Sequence, residues 1–353
     1  MLTASAIKSR AAEIGFDLCG VALAQRYARL DRLSQWIADG HAGDMAYLSQ
    51  SLDERLDPVA VLHSARTVVS VACVYNTNAA YSTAITEPDR VSIARYAWGQ
   101  DYHDVIRQRL TALLRWMAEA AGPGFEAFSC VDNGPVQERV FAEQAGLGWI
   151  GKNTCLINPS LGSWMFLGEI LTNATLDVDP PAVDQCGSCT RCLEACPTGA
   201  LVAPYQLDAT RCLSYLTIET RRPVEESLRP AIARHVYGCD ICQDVCPWNR
   251  RAAVSDDDVW RARDGLAHPK LLDLCALSDA EWSRVLKTSA MRRAGLTRVR
   301  RSLAYAAAHL PDADRRRALD LLASHPSALA AQVADAIAWA DSAALGHAET
   351  TRR

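Results

Sequence analysis

Cys186-Gly-Ser-Cys189-Thr-Arg-Cys192-Leu-Glu-Ala-Cys196-Pro197 decides how the chain is read. Three cysteines two residues apart, then a fourth three residues on and followed by proline, have the spacing of a bacterial ferredoxin cluster motif. The closely spaced thiolates can wrap one face of an iron–sulfur cubane in a single loop, whose backbone amides hydrogen-bond the sulfurs. The fourth opens a helix that points away and reaches a different cluster. A second run, Cys239-Asp-Ile-Cys242-Gln-Asp-Val-Cys246-Pro247, is one cysteine short, and Cys212 upstream is the natural replacement. Crossed ligation then predicts Cys186, Cys189, Cys192 and Cys246 on one 4Fe–4S cluster and Cys196, Cys212, Cys239 and Cys242 on the other. A pair of structural zinc knots competes with this reading, because zinc also uses Cys-x2-Cys pairs. Zinc has no use, however, for the triple run or the two prolines. Cys19, Cys73, Cys130, Cys155 and Cys275 lie in apolar runs or helices and are expected in the core.

The rest of the composition fits such a protein. At 353 residues the chain suits two or three domains, and its 49% hydrophobic and 22% charged residues are those of a soluble globular protein. No apolar run approaches the roughly 18 residues a membrane helix needs. Met1 to Arg10 lacks a basic start followed by an apolar stretch, so no secretory signal is expected and the cytosol is the anticipated compartment. There, an odd count of 13 cysteines points to metal and away from disulfides. The net charge of −4 hides a local exception. Arg284, Lys287, Arg292, Arg293, Arg298, Arg300 and Arg301 are seven basic residues in a stretch without acids, which leaves −11 on the remainder. That asymmetry suggests a docking face for an anion, against the plainer reading of a solvated helix face.

Periodicity divides the chain into an α+β arrangement of three parts: 1–178 mixed α and β, 179–255 a ferredoxin-like module, and 256–353 a helical, HEAT-like repeat. Expected elements are a helix over Ser5–Ile14, a strand over Leu18–Leu23 and a helix through Leu30, Leu33, Trp36 and Ile37. A buried strand follows at Thr67–Tyr75, then a helix through Val105, Leu110, Leu113, Leu114 and Met117, ended by Gly122-Pro123-Gly124. Phe125–Val131 is a predicted strand. Pro135 suits the first turn of the next helix, and 154–157 with 164–172 suggests a hairpin about Asn158–Gly162. Asp177–Pro181 is a linker, and helices are expected near 279–287, 298–309, 312–323 and 327–340.

Two clusters are an electron wire, and the N-terminal part should hold what the electrons reach. Tyr96-Ala-Trp-Gly-Gln-Asp-Tyr-His103, Ala145-Gly-Leu-Gly-Trp-Ile-Gly-Lys-Asn153, Leu167-Gly-Glu-Ile-Leu171, Cys212-Leu-Ser-Tyr-Leu-Thr-Ile-Glu219 and Tyr237-Gly-Cys-Asp-Ile-Cys-Gln-Asp-Val-Cys-Pro-Trp248 resemble the epoxyqueuosine reductase family. The resemblance implies a cytosolic enzyme, acting alone and related to reductive dehalogenases. Such an enzyme uses cobalamin and low-potential electrons to reduce the epoxide of a queuosine precursor at the tRNA wobble position. The Asp-x-His-x-x-Gly signature of histidine-ligated cobalamin is absent, and Asp101-Tyr-His103-Asp-Val-Ile106 comes closest. This agrees with the family's base-off cofactor.

The resemblance also assigns residues. Asp132 matches the family's proton donor in the pattern Asp132, Pro135, Glu138, Arg139, although an aspartate before Asn-Gly-Pro is ordinarily a turn or cap residue. Asn133 and Gly134 replace the Ser/Thr-Ala pair of that pattern. Carried over as cobalamin contacts are Arg55, Arg95, Asp132, Asn153, Glu169, Ser214, Asp240 and Ile241. As tRNA contacts the resemblance gives Arg292, Arg293 and Arg298 from the family's basic segment, and Arg284, Lys287 and Arg300 extend it. A reductive dehalogenase acting on a small organohalide, or a ferredoxin with a partner-binding repeat, are the competing functions. The first usually carries an export signal, and the second leaves the N-terminal part without a task.

Overall fold

The computed structural model describes residues 2–343. Its N-terminal part is built on four strands: β1 (Leu18–Leu23), β2 (Thr67–Val74), β3 (Ala127–Cys130) and β4 (Met165–Thr172). They form one antiparallel sheet in the order β1-β2-β4-β3. The valine-rich β2 is buried at every position because both faces of the sheet are covered. Successive side chains alternate between faces. Val69, Val71 and Cys73 meet Ile7 and Ala11 of α1 (Ala4–Ile14) and Ile106, Leu110 and Leu113 of α2 (Tyr102–Ala121). Val68 and Ala72 meet Val140 and Phe141 of α3 (Glu138–Gln144). The caps are local: the Thr3 side chain accepts from Ala6 N at the start of α1, and Asp101 accepts from His103 N at the start of α2.

Two expectations are corrected here. The turn at Asn158–Gly162 closes as anticipated, but the residues before and after it join different sheets. Leu156–Ile157 pairs with Trp149–Ile150, whereas β4 is claimed by β2 and β3, which offer eight and four partners along its length. The helix expected to open at Pro135 begins three residues later. Asp132 takes φ 51 and donates its backbone N–H to Glu138 Oε1 at 2.6 Å, so the chain must finish this turn before it can coil. Gly134 is required in the turn, since a Cβ there would lie 2.3 Å from the Cβ of Cys130. The segment read as a linker is pinned as well: Asp179 accepts from Val21 N and pairs with Lys8.

The cysteine module carries the short helices Arg191–Glu194 and Ile241–Asp244, each just ahead of Cys196 or Cys246, and a longer α4 (Leu213–Ile218). Beyond it come α5 (Leu271–Ala276), α6 (Asp279–Lys287), α7 (Gly295–Ala307), α8 (Asp312–Ala323) and α9 (Ala331–Ser342). A capping box, Ser278 with Glu281, starts α6. Helix α7 is buried from Val299 through Ala307. Its Val299, Leu303 and Ala304 share one apolar core with Leu213 and Val236 of the cysteine module, Ile93 and Trp98 of the N-terminal part, and Leu322 and Ala336 of α8 and α9. The helical array and the cysteine module are thus packed as one body. Among the described residues no helix is long and apolar enough to cross a membrane.

Candidate redox and acid site

The loops around the two short helices bring the eight cysteines into two groups. Cys186, Cys189, Cys192 and Cys246 line one cavity together with Lys152, Asn153 and Trp248. Burial pushes the Cys192 thiol up to about 11, and its neighbours Cys246 and Cys186 add to the shift. In the other group burial raises Cys212 and Cys239, with Cys196 adjacent to both. Cys242 is raised well above its ordinary value by a hydrogen bond with Cys155, then by burial and by Cys239 and Cys212. Thiols crowded in this way resist ionising, and the positive iron of a bound cluster would offset that cost. All thirteen cysteines are free of disulfides. The sulfurs do not converge on a point: among the described residues no three His, Cys, Asp or Glu side chains are placed to hold a single metal ion. Cys155, expected in the core, instead touches the second group through Cys242.

Asp132 lies at the end of β3, where the strained turn turns its carboxylate toward the start of α2. Tyr102 donates to its Oδ2 at 2.6 Å, and His103 Nε2 lies 3.2 Å from the same oxygen. The other ring nitrogen of His103 is 2.7 Å from Asp101 Oδ1. Tyr102 is fixed by stacking on Phe166, with centroids 4.4 Å apart, and on His103. Desolvation by the surrounding chain raises the Asp132 pKa, but the hydrogen bonds from His103 and Tyr102 and the charges of His103 and Arg139 outweigh it and hold the carboxyl below its usual range. Burial works against the His103 cation; hydrogen bonds and charges from Asp101 and Asp132 win and lift it to about 9. Glu138, half-buried and facing Asp132, is raised by desolvation and by the Asp132 charge to about 8. The resting acid site therefore holds its mobile protons on His103 and Glu138, around an ionised Asp132.

Arg139 links acid and cysteines by donating to Thr154 O at 2.6 Å, beside Cys155. Of the expected cofactor contacts, Asn153 donates to Cys242 O at 3.3 Å, and Ser214 hydrogen-bonds the Cys212 sulfur. Asp240 and Ile241 lie between Cys239 and Cys242, with burial pushing the Asp240 carboxyl up to about 7. Glu169 on β4 is fully buried opposite Ser70, whose hydroxyl donates to Oε2 at 2.6 Å, while Oε1 has no partner among the described residues. Burial raises its pKa well above the ordinary value, so it is a neutral acid. Arg55 is half-buried, its guanidinium 5.9 Å from the Tyr47 ring. Arg95 departs from expectation. Its guanidinium donates to Thr77, Ala79 and Ala80 and stacks among Tyr81, Trp98 and Trp164, and only its backbone N–H reaches the site, at Asp240 Oδ2. The side chain is consumed in holding the loop.

The basic segment divides. Arg284, Lys287, Arg292 and Arg293 are exposed and Arg298 is half-buried. Arg292 lies 3.4 Å from Asp101, and Arg293 makes two 2.9 Å bonds to Glu219 while flanking the exposed Tyr47 ring at 5.1 Å. Arg300, expected on the RNA face, is a correction: its side chain has no exposure and is bonded to Leu277 O and Asp279 at 2.8 Å. Arg301 is also fully buried. One helical turn carries positions 298–301 from the rim into the core, and a run of basic letters does not show that rotation.

His103 and Tyr102 are the residues of this site that sequence reasoning missed; an aspartate cap followed two residues later by histidine is the local signal that marks them.

Two family models match the chain: the 4Fe–4S double cluster binding domain over residues 185–249 and Epoxyqueuosine reductase QueG, DUF1730, over residues 55–133. An epoxyqueuosine reductase of Gloeobacter violaceus is 46% identical over 310 residues, 85% of this chain and 94% of the relative. Another, of Xanthomonas campestris, is 40% identical over 342 residues, 96% of this chain and 95% of that one. In structure the chain is similar to an epoxyqueuosine reductase crystallised with an epoxyqueuosine-modified tRNA-Tyr stem loop, with TM-score 0.84 and 32% identity over 96% of this chain and 88% of that one. The Bacillus subtilis reductase, captured with its aspartate-bearing catalytic loop swung out of the active site, gives TM-score 0.83 and 31% identity over 95% of this chain and 88% of its own. The chain belongs to the epoxyqueuosine reductase family.

Proposed function

We infer that the protein reduces epoxyqueuosine to queuosine at the wobble position of tRNA, passing electrons from two 4Fe–4S clusters to the epoxide. The observation that carries this is the fold match, along 96% of the chain, to a reductase solved with an epoxyqueuosine-modified stem loop. The cluster ligands are the two crossed sets, supported by the cavity that Cys246 shares with Cys186, Cys189 and Cys192 and by the neighbourhood of Cys212, Cys239 and Cys196. Base-off cobalamin is the second cofactor, as the resemblance implies. The buried, neutral Glu169 with an unmatched Oε1 suits a large ligand rich in amides. Arg55, Asn153, Glu169, Ser214, Asp240 and Ile241 would hold it, beside the second thiol group. When bound, the cobalt macrocycle supplies a centre that takes electrons delivered singly.

Asp132 is the acid that protonates the departing epoxide oxygen, and Tyr102 orients it. The exposed Arg284, Lys287, Arg292 and Arg293, with the half-buried Arg298, receive the phosphates of the stem loop. A wobble base lies in a loop and enters a pocket without breaking a duplex. The division of labour is catalysis in 1–178, electron transfer in 179–255 and RNA docking in the helical, HEAT-like 256–353, in a cytosolic monomer fed by a low-potential donor. The test is anaerobic incubation of cluster-loaded protein with cobalamin, a strong reductant and epoxyqueuosine-bearing tRNA, followed by nucleoside analysis. Queuosine is expected, and its formation stops when cobalamin is left out; queuosine forming without the corrin removes that cofactor from the account.

A further inference from the structure

Turning an epoxide into an alkene breaks two C–O bonds and releases the oxygen as water. Two electrons and two protons are consumed. The electrons come from the clusters that the cysteines would hold, but Asp132 can carry one proton at a time, and its carboxyl is ionised at rest. Both protons must therefore reach it from a group in contact with it. Resting on the reading of Asp132 as the acid, we propose that Asp101, His103 and Asp132 form a proton relay in which His103 recharges Asp132 for each of the two transfers.

The geometry is that of a donor held in line. His103 Nδ1 is 2.7 Å from Asp101 Oδ1, and Nε2 is 3.2 Å from Asp132 Oδ2. Asp101 is buried and also caps α2 by accepting from His103 N at 3.1 Å, so the carboxylate that holds the ring is itself fixed. Tyr102 stacks on the ring from one side, with centroids 4.0 Å apart. The bonds from Tyr102 and His103 both fall on Oδ2 of Asp132, and Oδ1 takes none from the described residues. A carboxyl arranged in this way takes the proton at Oδ2, and rotation about Cβ–Cγ carries that same O–H toward the substrate side. In each pass the Nε2–H bond breaks and an O–H bond forms at Oδ2. That Oδ2–H bond then breaks as the departing oxygen takes the proton, and His103, with 19% of its side chain exposed, is reloaded from water. No electron moves in this step.

The groups facing the relay keep the ring charged. Asp101 and Asp132 favour the cation against burial. Arg292, 3.4 Å from Asp101, and Arg263 moderate Asp101 from the C-terminal side. Glu138 and Arg139 act on Asp132 from α3, and Tyr237 faces both aspartates from its strand. Arg292 belongs to the exposed basic segment, so RNA phosphate competing for it would strengthen the hold of Asp101 on the His103 proton.

The test compares His103→Gln, Asp132→Asn and the parent enzyme, each loaded with clusters and cobalamin, in single-turnover nucleoside assays from pH 6 to 10. Glutamine keeps a donor for Asp132 but carries no titrating proton. His103→Gln is expected to lose about 10²-fold or more in rate at pH 7, with stem-loop affinity and cluster absorbance unchanged, and to lose the decline in rate through about pH 9 that the parent shows. Imidazole added to His103→Ala should restore part of the rate. Parental rate and pH profile in His103→Gln overturn the relay, as does a folded, cluster-loaded His103→Ala that imidazole leaves inactive. If Asp132→Asn turns over at the parental rate, the reading of the acid falls instead; an inactive Asp132→Asn beside an undiminished His103→Gln removes the relay alone.

Discussion

Replacing Arg301 with methionine separates structural arginines from RNA-binding ones. Arg301 is fully buried, and its guanidinium donates to Thr220 O and Arg222 O at 3.0 Å, to Gln332 Oε1 at 2.9 Å and to Leu216 O. These bonds tie α7 to the end of α4, the loop after it, and α9. Each bond from a charged donor contributes roughly 1.5–3 kcal/mol, and its loss leaves a buried acceptor unpaired. Against that, no carboxylate among the described residues pairs with the guanidinium, and burial pulls its pKa down to about 10, so its removal recovers part of a desolvation cost. The net loss expected for Arg301→Met is about 3–5 kcal/mol, a fall in melting temperature of roughly 5 °C or more for iron-loaded protein. Stem-loop affinity of the folded variant should be unchanged. Arg284→Ala, on the exposed end of α6, should leave the melt within about 0.5 kcal/mol of the parent. The reasoning fails if Arg301→Met melts like the parent yet binds the stem loop more weakly and with a shallower salt dependence.

Arg293→Ala should weaken stem-loop binding and reduce the slope of log affinity against log salt by about one, read by titration at several salt concentrations; an unaltered slope takes Arg293 off the phosphate face. Cys246→Ser should remove the cluster that also uses Cys186, Cys189 and Cys192, so that iron falls from about eight to about four per chain while the other cluster keeps its electron paramagnetic signal. Loss of both clusters together, or of the one held by Cys239 and Cys242, refutes crossed ligation. His103 has a folded-state pKa raised from 6.5 to about 9, so its pairing stabilises fully below the unfolded value and the contribution is lost as pH rises through about 9. The parent should lose melting temperature between pH 7 and 9.5 more steeply than His103→Gln, and parallel curves would contradict the pairing.

Much of the fold was legible because its elements obey local rules. The strand at Leu18–Leu23 and the helices at 279–287 and 312–323 emerge with the predicted bounds, each with alternation, a cap or a proline to mark its ends. The cysteine spacing was legible for a chemical reason, since a cubane constrains loop length. Pairing partners were not: nothing in Leu156-Ile157 shows that Trp149-Ile150 will claim it and leave β4 to β2. Buried charge was equally hidden. Arg95, Arg300 and Arg301 look solvated in sequence, and only the carbonyls and carboxylate that converge on them in three dimensions make their burial affordable. His103 was concealed because its partners are 2 and 29 positions away, and the second distance is set by the sheet.

The central claim is that electrons held on the cysteine clusters deoxygenate the bound nucleoside. Chemically reduced, cobalamin-loaded protein, freed of excess reductant and mixed with one equivalent of epoxyqueuosine stem loop, allows cluster absorbance and queuosine to be followed in the same sample. The account predicts that two electrons leave the clusters for every queuosine formed, with both changes on one time course. Queuosine appearing while the clusters stay reduced, or clusters oxidising with no queuosine, would contradict it.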